Sequence, residues 1–447
     1  MSKTIKIKRG FDIKLKGKAE HNIGAASAVT HYAIKPSDFP GLKPKLLVKA
    51  NEQVKAGTPL FFDKAQPEVA FTSPVSGKVV SVNRGERRRI LEVEIESDGK
   101  FESESFASGE VQSMSRDAVK QNMLQSGLWP FIVQRPFGVV ANVALTPRDI
   151  FVTGFDSSPL APDYEFTLAN ELKTLQTGFD ALAKLTDGKV YLGLRPESKF
   201  ASLKGVEINF FDGPHPAGNV GIQIHQIAPI NKGDVVWTLN IQSVVFIGRL
   251  FSTGKLNLER LVAITGSEVV KPQYVKSHVG ASIDVLLRGK TAKDLNERYI
   301  SGNVLTGTQL ESDGYTGFFH NQVTVIPEGN KIEPLGWATP GFDKFSAGKT
   351  FLSKLIPRKE YVLDANFHGG ERAFVLTGQY EKVFPMDIFP VYLLKSILIN
   401  DFDKMEQLGI YEILEEDMAL CEYVCTSKIE VQEILRKGFS IMLKELS

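Results

Sequence analysis

The chain opens on short runs in which apolar and polar residues alternate, Lys3 to Lys8 and Ile90 to Ile95, divided by turns rich in glycine and proline. A period of two puts successive side chains on opposite faces of a strand, so residues 1–100 are expected to form a β-rich domain ending near Asp98-Gly99. A polar connector, Glu102 to Ser115, leads to Arg116–Leu124, which predicts a short helix closed at Gly127. The pattern then turns to buried strands alternating with helical periods. Asp149–Phe155 reads as a strand, and Pro162 opens a helix with Leu168, Leu172, Leu175, Phe179 and Leu182 on one face before Gly188. Lys189–Leu194 and Val206–Phe211 read as further strands. This succession predicts a doubly wound, Rossmann-like sheet over residues 101–257, with another helix from Val236 to Leu250. Arg260–Gly266 then reads as a strand and turn, and with the helix-like Ile283–Leu287 outlines a β-grasp domain over 258–330. Residues 331–447 are expected to be largely helical, most clearly in Lys428–Leu446, where Val431, Ile434, Leu435, Phe439 and Met442 share a face. The fold class is thus multidomain, α/β with α+β.

Composition narrows the function classes. The 447 residues are 43% hydrophobic, enough for several buried cores, and 53 basic against 52 acidic side chains leave a net charge of +1. No global field attracts nucleic acid, so any anionic partner must meet a local patch. Two cysteines make no disulfide framework and no apolar stretch follows MSKTIKIKRG, which points to a reducing compartment without a secretory signal. The most apolar stretches, Val235–Phe251 and Phe389–Ile399, are broken by Asn240, Gln242, Arg249 and Lys395, so neither is expected to span a bilayer.

Residues 54–82, VKAGTPLFFDKAQPEVAFTSPVSGKVVSV, read like the half of a lipoyl or biotinyl carrier domain that presents a lysine at a hairpin tip. Lys64 stands at that position. An ordinary hairpin lysine is the expected reading, because several hundred residues of unrelated α/β sequence follow, and a carrier modified at Lys64 is the alternative. Gly341–Thr350 resembles a phosphate loop, but six residues separate Gly341 from Gly348 where four are needed for backbone amides to cradle phosphates. The strand at 149–155 is followed by Asp156-Ser-Ser-Pro-Leu-Ala-Pro162 rather than a Gly-x-Gly-x-x-Gly turn, which disfavours a dinucleotide site. The seven histidines show no metal-ligand spacing, and Cys421 and Cys425 are too few for an iron–sulfur cluster and read as helix-packing thiols. Arg84, Arg87, Arg88 and Arg89 form the one basic cluster, a solvated hairpin tip or a patch for an anionic partner or lipid headgroups.

Taken together, DKAQPEVAFTSPVSGKVVSV, Gly213–His225 (GPHPAGNVGIQIH), RLVAITG and LEEDMALCEYVC resemble the NqrA family of the sodium-translocating NADH:quinone oxidoreductase along essentially the whole chain. That family looks like a relative of the flavin-binding component of respiratory complex I and of component C of the Rnf complex. The resemblance implies a biotinyl/lipoyl-like scaffold at 1–100 and an SLBB-like β-grasp domain. It also implies a peripheral protein on the cytoplasmic face of the inner (plasma) membrane, partnered by components B to F of the complex, chiefly the membrane component B. Those partners would carry FMN, FAD, riboflavin and iron–sulfur, with NADH and ubiquinone or menaquinone as substrates and Na+ pumped outward. Because the run Asp156 to Pro162 replaces the relatives' glycine loop, this chain is expected to carry no catalytic residue, metal or redox cofactor of its own. A contribution to the quinone-reducing region is implied, and His215, His225 and Trp237 are candidates that the sequence does not separate from core residues. A free-standing flavoprotein is the remaining competitor.

Overall fold

The computed structural model describes residues 4–24, 29–291, 296–329, 335–356, 360–366 and 368–445. Lys3, Pro357, Leu446 and the expected boundary at 330/331 lie outside them. Two small antiparallel sheets form the first unit. One orders the strands His31–Ile34, Ile90–Ser97, Gly77–Arg84 and Gln53–Val54 side by side; the other places Pro59–Asp63 between Pro44–Leu46 and Ala70–Thr72. Their facing sides bury Tyr32, Leu60, Phe61, Val75, Val79, Val93 and Ile95.

The opening strand does not join them. Thr4–Lys6 runs parallel beside Glu207–Asp212, with Thr4 opposite Phe210 and Lys6 opposite Asp212, at the edge of a seven-stranded sheet. Alternation marks this segment as a strand, but a period of two does not say which sheet receives it. Inward from that edge come Val190–Leu194, Ile150–Thr153 and Val236–Asn240, all parallel, followed by the antiparallel Val133–Arg135 and Val139–Val140. The chain moves outward one strand at a time from Ile150–Thr153, then returns to its other side with Val236–Asn240. The direction of winding therefore reverses between those two strands.

Two helices differ from expectation. The helix opened by Pro162 is two helices, Tyr164–Thr167 and Leu172–Lys184, because Asp163 caps only the first turn, accepting from the Glu165 and Phe166 N–H groups. Val236–Leu250 divides at Asn240. Val236–Asn240 is a strand paired with Ile150–Thr153, and Asn240 caps the helix Ile241–Thr253 by accepting from the Ser243 N–H. Trp237 and Thr238 favour a pleated surface, and the largely apolar residues on either side of Asn240 concealed the change of period. The helix Arg116–Ser126 has the expected ends, a Ser115 cap and left-handed Gly127.

Glu259–Thr265 and Gln322–Pro327 lie parallel in the middle of a five-stranded sheet, with Gln273–His278 outside the first and Glu297–Ser301 then Thr308–Leu310 outside the second. The helix Ile283–Leu287 is buried on four of its five residues. Past this sheet the described chain has little regular structure until the helices Tyr380–Val383, Pro390–Leu398, Phe402–Gln407, Ala419–Val424 and Val431–Glu445.

A row of aromatic rings joins the units. Phe71 contacts Phe39, which contacts Phe318 at 4.9 Å; Phe318 stacks on Phe131 at 4.2 Å, and Phe131 reaches Phe246. The first, third and second units each contribute to it, so their cores are continuous. Phe318→Ala is expected to cost about 3–5 kcal/mol. Urea unfolding followed by circular dichroism should show both the loss and a broader transition; an unchanged curve would separate the three cores.

Candidate functional site

In an open parallel sheet, ligands bind outside the carboxyl ends of the strands, where the winding reverses. Here that crevice holds the loop 154–162 after Ile150–Thr153, Arg195 after Val190–Leu194, and the loop 213–219 after Glu207–Asp212. The two loops lie against each other. Ser157 Oγ accepts the Gly218 N–H at 2.8 Å and sits 3.0 Å from His215 Nδ1. Asp156 accepts the Ser158 N–H at 2.7 Å, and desolvation pushes its carboxyl above the ordinary range. A Cβ on Gly218 would stand 2.6 Å from the Ser157 nitrogen, and one on Gly193 would stand 2.1 Å from Gln223 Oε1. These glycines give room to the protein's own loop and side chain, which pack closely at the carboxyl ends of the strands.

The amino end of the helix Val220–Ile227 is likewise taken. Its unpaired N–H groups and dipole make such an end favourable for a phosphate. Asp417 lies there instead: a Cβ on Gly221 would fall 2.2 Å from its Oδ2, and Asn219 donates to the Glu416 carbonyl at 2.9 Å. Arg135, 1% exposed, donates to Asp417 Oδ2 at 2.7 Å and to Glu416 Oε1 at 2.6 Å. Asp417 Oδ2 also accepts the Leu414 N–H. The residues present therefore do not fit a dinucleotide or flavin phosphate, which would meet carboxylates. Desolvation, with the neighbouring charges of Asp417, Glu415 and Asp156, outweighs Arg135 and pushes the Glu416 carboxyl up to about 7, although its side chain remains 42% exposed.

The candidate residues named from sequence are not brought together. His215 is buried in the crevice, its N–H donating to Asp12 Oδ1 at 2.9 Å, and burial lowers the imidazole to about 4. His225, on the helix below, pairs with Glu412 at 2.8 Å and accepts the Asp387 N–H at 3.1 Å, joining the second unit to the C-terminal helices. Trp237 is opposite Ile150 at the starting end of the strands, buried edge-on against Trp129. Cys421 and Cys425 are free and buried; Tyr380 donates to Cys425 Sγ at 3.0 Å, and burial raises the Cys421 thiol, so both pack as inert groups. No group of three or more His, Cys, Asp and Glu that could hold a metal occurs among the described residues. Among the described residues, Gly341–Thr350 is flanked by the short 3-10 helices Gly336–Ala338 and Leu352–Leu355 rather than by a strand and an α-helix.

Lys64 is exposed at the turn after Pro59–Asp63, but that turn is fixed. Its N–H donates to the Lys43 carbonyl, Gln66 Oε1 accepts the Val143 N–H at 2.8 Å, and Thr72 donates to the Ser126 carbonyl. A hairpin held on the neighbouring unit does not travel between active sites. The intact mass should equal that of the unmodified sequence; an added lipoyl or biotinyl group would reverse this reading. Arg135, Glu416 and Asp417 were not singled out from sequence. The acidic run LEED was visible, but nothing in it points to an arginine some 280 positions earlier.

Two pH effects follow. Burial holds His215, His278 and His320 each at about 4, below the ordinary histidine value, so the unfolded chain takes up protons that the folded chain refuses. Stability should fall as pH drops from about 6.5 toward 4. Glu416 runs the other way: its raised value means that its contribution is fully present below the ordinary carboxyl range and lost as pH rises through about 7. Glu416→Gln should flatten urea midpoints near neutrality without changing the acid limb. Arg135→Ala, which strands a buried carboxylate, should cost about 3–5 kcal/mol.

Comparison with known proteins matches three consecutive stretches of the chain to family models. They are the NqrA N-terminal barrel-sandwich hybrid domain over residues 5–98, the NqrA second alpha/beta domain over 114–256, and the NQRA C-terminal (SLBB) domain over 261–312. The NqrA protein of the Na(+)-translocating NADH-quinone reductase of Yersinia pseudotuberculosis serotype I (strain IP32953) is 40% identical over 437 residues, covering 97% of this chain and 98% of that one. Its counterpart from Neisseria meningitidis serogroup B is 38% identical over 449 residues, covering 99% and 100%. Among solved structures, an NAD+-reducing NiFe hydrogenase in the air-oxidized state aligns with a TM-score of 0.39 and 12% identity, over 75% of this chain and 62% of that one. Family matches in all three leading units, with identity near 40% from end to end, mean that the chain belongs to the NqrA family of the Na(+)-translocating NADH-quinone reductase.

Proposed function

We propose that this chain is the peripheral protein through which the reductase builds its quinone-reducing region, docked on a membrane partner and holding no redox cofactor itself. The reading assigns residues 1–100 to a carrier-like scaffold, 101–257 to a Rossmann-like unit, 258–330 to a β-grasp unit and 331–447 to a C-terminal, largely helical unit. Its seat is the cytoplasmic face of the inner membrane. Component B is the expected contact among components B to F, which would carry FMN, FAD, riboflavin and iron–sulfur and pass electrons from NADH to ubiquinone or menaquinone while Na+ moves outward.

One observation carries the docking. No helix among the described residues is long and apolar enough to cross a membrane. Yet among the described residues twelve of the twenty large hydrophobic side chains left exposed fall between Leu335 and Ile399, including Leu355 at 69%, Ile399 at 68% and Phe389 at 65%. So many exposed apolar groups in one segment favour burial against a partner. The filled crevice supports a role without bound flavin, since its loops and carboxylates occupy the positions that a ring and phosphate need. No quinone ligand is assigned, because His215, His225 and Trp237 lie in separate places; both histidines are hydrogen-bonded within the chain, and Trp237, whose indole N–H has no partner among the described residues, is buried against Trp129.

The test is affinity purification of the tagged chain from gently solubilised membranes, with Leu355→Glu and Ile399→Glu compared with the native sequence. The native chain should bring down the other subunits with sodium-stimulated NADH:quinone reduction. Each variant should fold but lose at least tenfold of the co-purified subunits. Full recovery with both variants would remove this surface from the docking account, and a native chain recovered alone would overturn the reading as part of a complex.

A further inference from the structure

The sequence singled out Arg84, Arg87, Arg88 and Arg89, and nothing in the fold or the crevice uses them. They sit at the end of the hairpin Gly77–Arg84/Ile90–Ser97. Neighbouring strands cover only its base: His31–Ile34 pairs with Val93–Glu96, and Gln53–Val54 with Gly77–Lys78. From Val80 to Glu92 the two strands run on without a third beside them, and the arm carries all four guanidiniums at its end. All four arginines are exposed.

Three features separate this tip from an ordinary solvated turn. First, its charge is uncompensated: four arginines against Glu86 give +3 within six residues of a chain whose total is +1. No ion pair to any of the four occurs among the described residues, whereas Arg135, Arg148 and Arg249 each meet a carboxylate. Arg84 instead donates to the Arg88 carbonyl at 3.1 Å, which fixes the tip. Second, Arg87 and Arg88 have φ of 52° and 59°, consecutive left-handed positions where glycine or asparagine costs least. Arginine there is held against backbone preference. Third, Leu91 is 44% exposed and packs on Gly85, so an apolar side chain stands directly behind the cations.

We propose that the Arg84–Arg89 tip is a contact for the anionic phosphate headgroups of the bilayer in which the complex works, a proposal that rests on the membrane-complex reading above. Guanidinium groups pair with phosphate oxygens in two-pronged fashion and are weakly hydrated, while Leu91 suits the boundary between headgroups and acyl chains. The four arginines are all exposed at the end of one hairpin arm, an arrangement that fits a fluid sheet of phosphates better than a fixed set of carboxylates on a protein. Attraction of this kind multiplies, at about fivefold in partitioning for each arginine near an anionic surface.

The test is flotation of the purified full chain with vesicles of phosphatidylcholine containing phosphatidylglycerol, against phosphatidylcholine alone. The variant is Arg84→Ser, Arg87→Asn, Arg88→Gly and Arg89→Ser together, which removes the charge while easing the backbone at 87 and 88. The native chain should float only with anionic vesicles, weaken as salt rises, and bind on the order of several hundredfold more strongly than the variant. Equal flotation of the two, or indifference of the native chain to phosphatidylglycerol, overturns the proposal. So does suppression by millimolar inorganic phosphate at constant ionic strength, which would mark a site for the free ion. In membranes, the variant should still co-purify the other subunits. Their loss from the variant, with vesicle binding intact, would assign the tip to an acidic protein surface and refute the lipid contact; loss from Leu355→Glu alone would bear on docking and leave this contact standing.

Discussion

The arrangement depends on a buried guanidinium. Arg135 ends the strand Val133–Arg135 in the seven-stranded sheet and meets Asp417 and Glu416 from the far end of the chain. A buried charge removed from water must be paired and hydrogen-bonded, so strand and C-terminal segment cannot part without exposing both ions or stranding one. This requirement fixes where residues 412–418 lie. Their position in turn sets Asp417 on the amino end of the helix Val220–Ile227 and brings Glu412 to His225. The acidic segment thus joins the C-terminal helices to the second unit and occupies the place on that helix where an anionic ligand would rest.

The crevice is closed by the same economy of space. Gly218 and Gly193 permit contacts that a Cβ would forbid, so Ser157 and Gln223 enter where a cofactor ring would otherwise stand. Hydrogen bonds then hold the loops: Thr153 donates to the Gly218 carbonyl, Gln223 to Thr153 Oγ1, and Gln322 of the third unit to the Pro159 carbonyl. Filling of this kind is cooperative, because most of the polar groups buried in the crevice bond to one another or to the third unit, Ser158 Oγ being left without a partner among the described residues. Among the described residues, exposed large apolar side chains are concentrated between Leu335 and Ile399 rather than in this crevice.

Local patterns marked the strands at 150–153, 190–194 and 259–265 and the amphipathic helix at 431–445, because each follows from side-chain period within one element. The ends of Arg116–Ser126 were equally legible, since a serine cap and a left-handed glycine are local chemistry. Within the site, the missing glycine fingerprint at 156–162 was readable for the same reason. Where local signals were ambiguous the reading slipped. Val236–Leu250 is mostly apolar on both sides of Asn240, so the change from strand to helix there was marked only by short polar residues that also fit a helix, Asn240 among them as the cap.

By itself the sequence determined most of the strands and helices, that the crevice loop lacks the dinucleotide glycine fingerprint, and the family to which the whole belongs. Only the tertiary structure decided that Thr4–Lys6 leaves the first unit to edge the second, that His215, His225 and Trp237 lie apart, and that Arg135 meets Asp417. The physical reason is the range of the forces. Propensity, capping and periodicity act within a few residues and are written in order along the chain. Pairing of a buried charge, choice of sheet and occupation of a crevice depend on which distant segments exclude water together, and that is settled only when the chain packs.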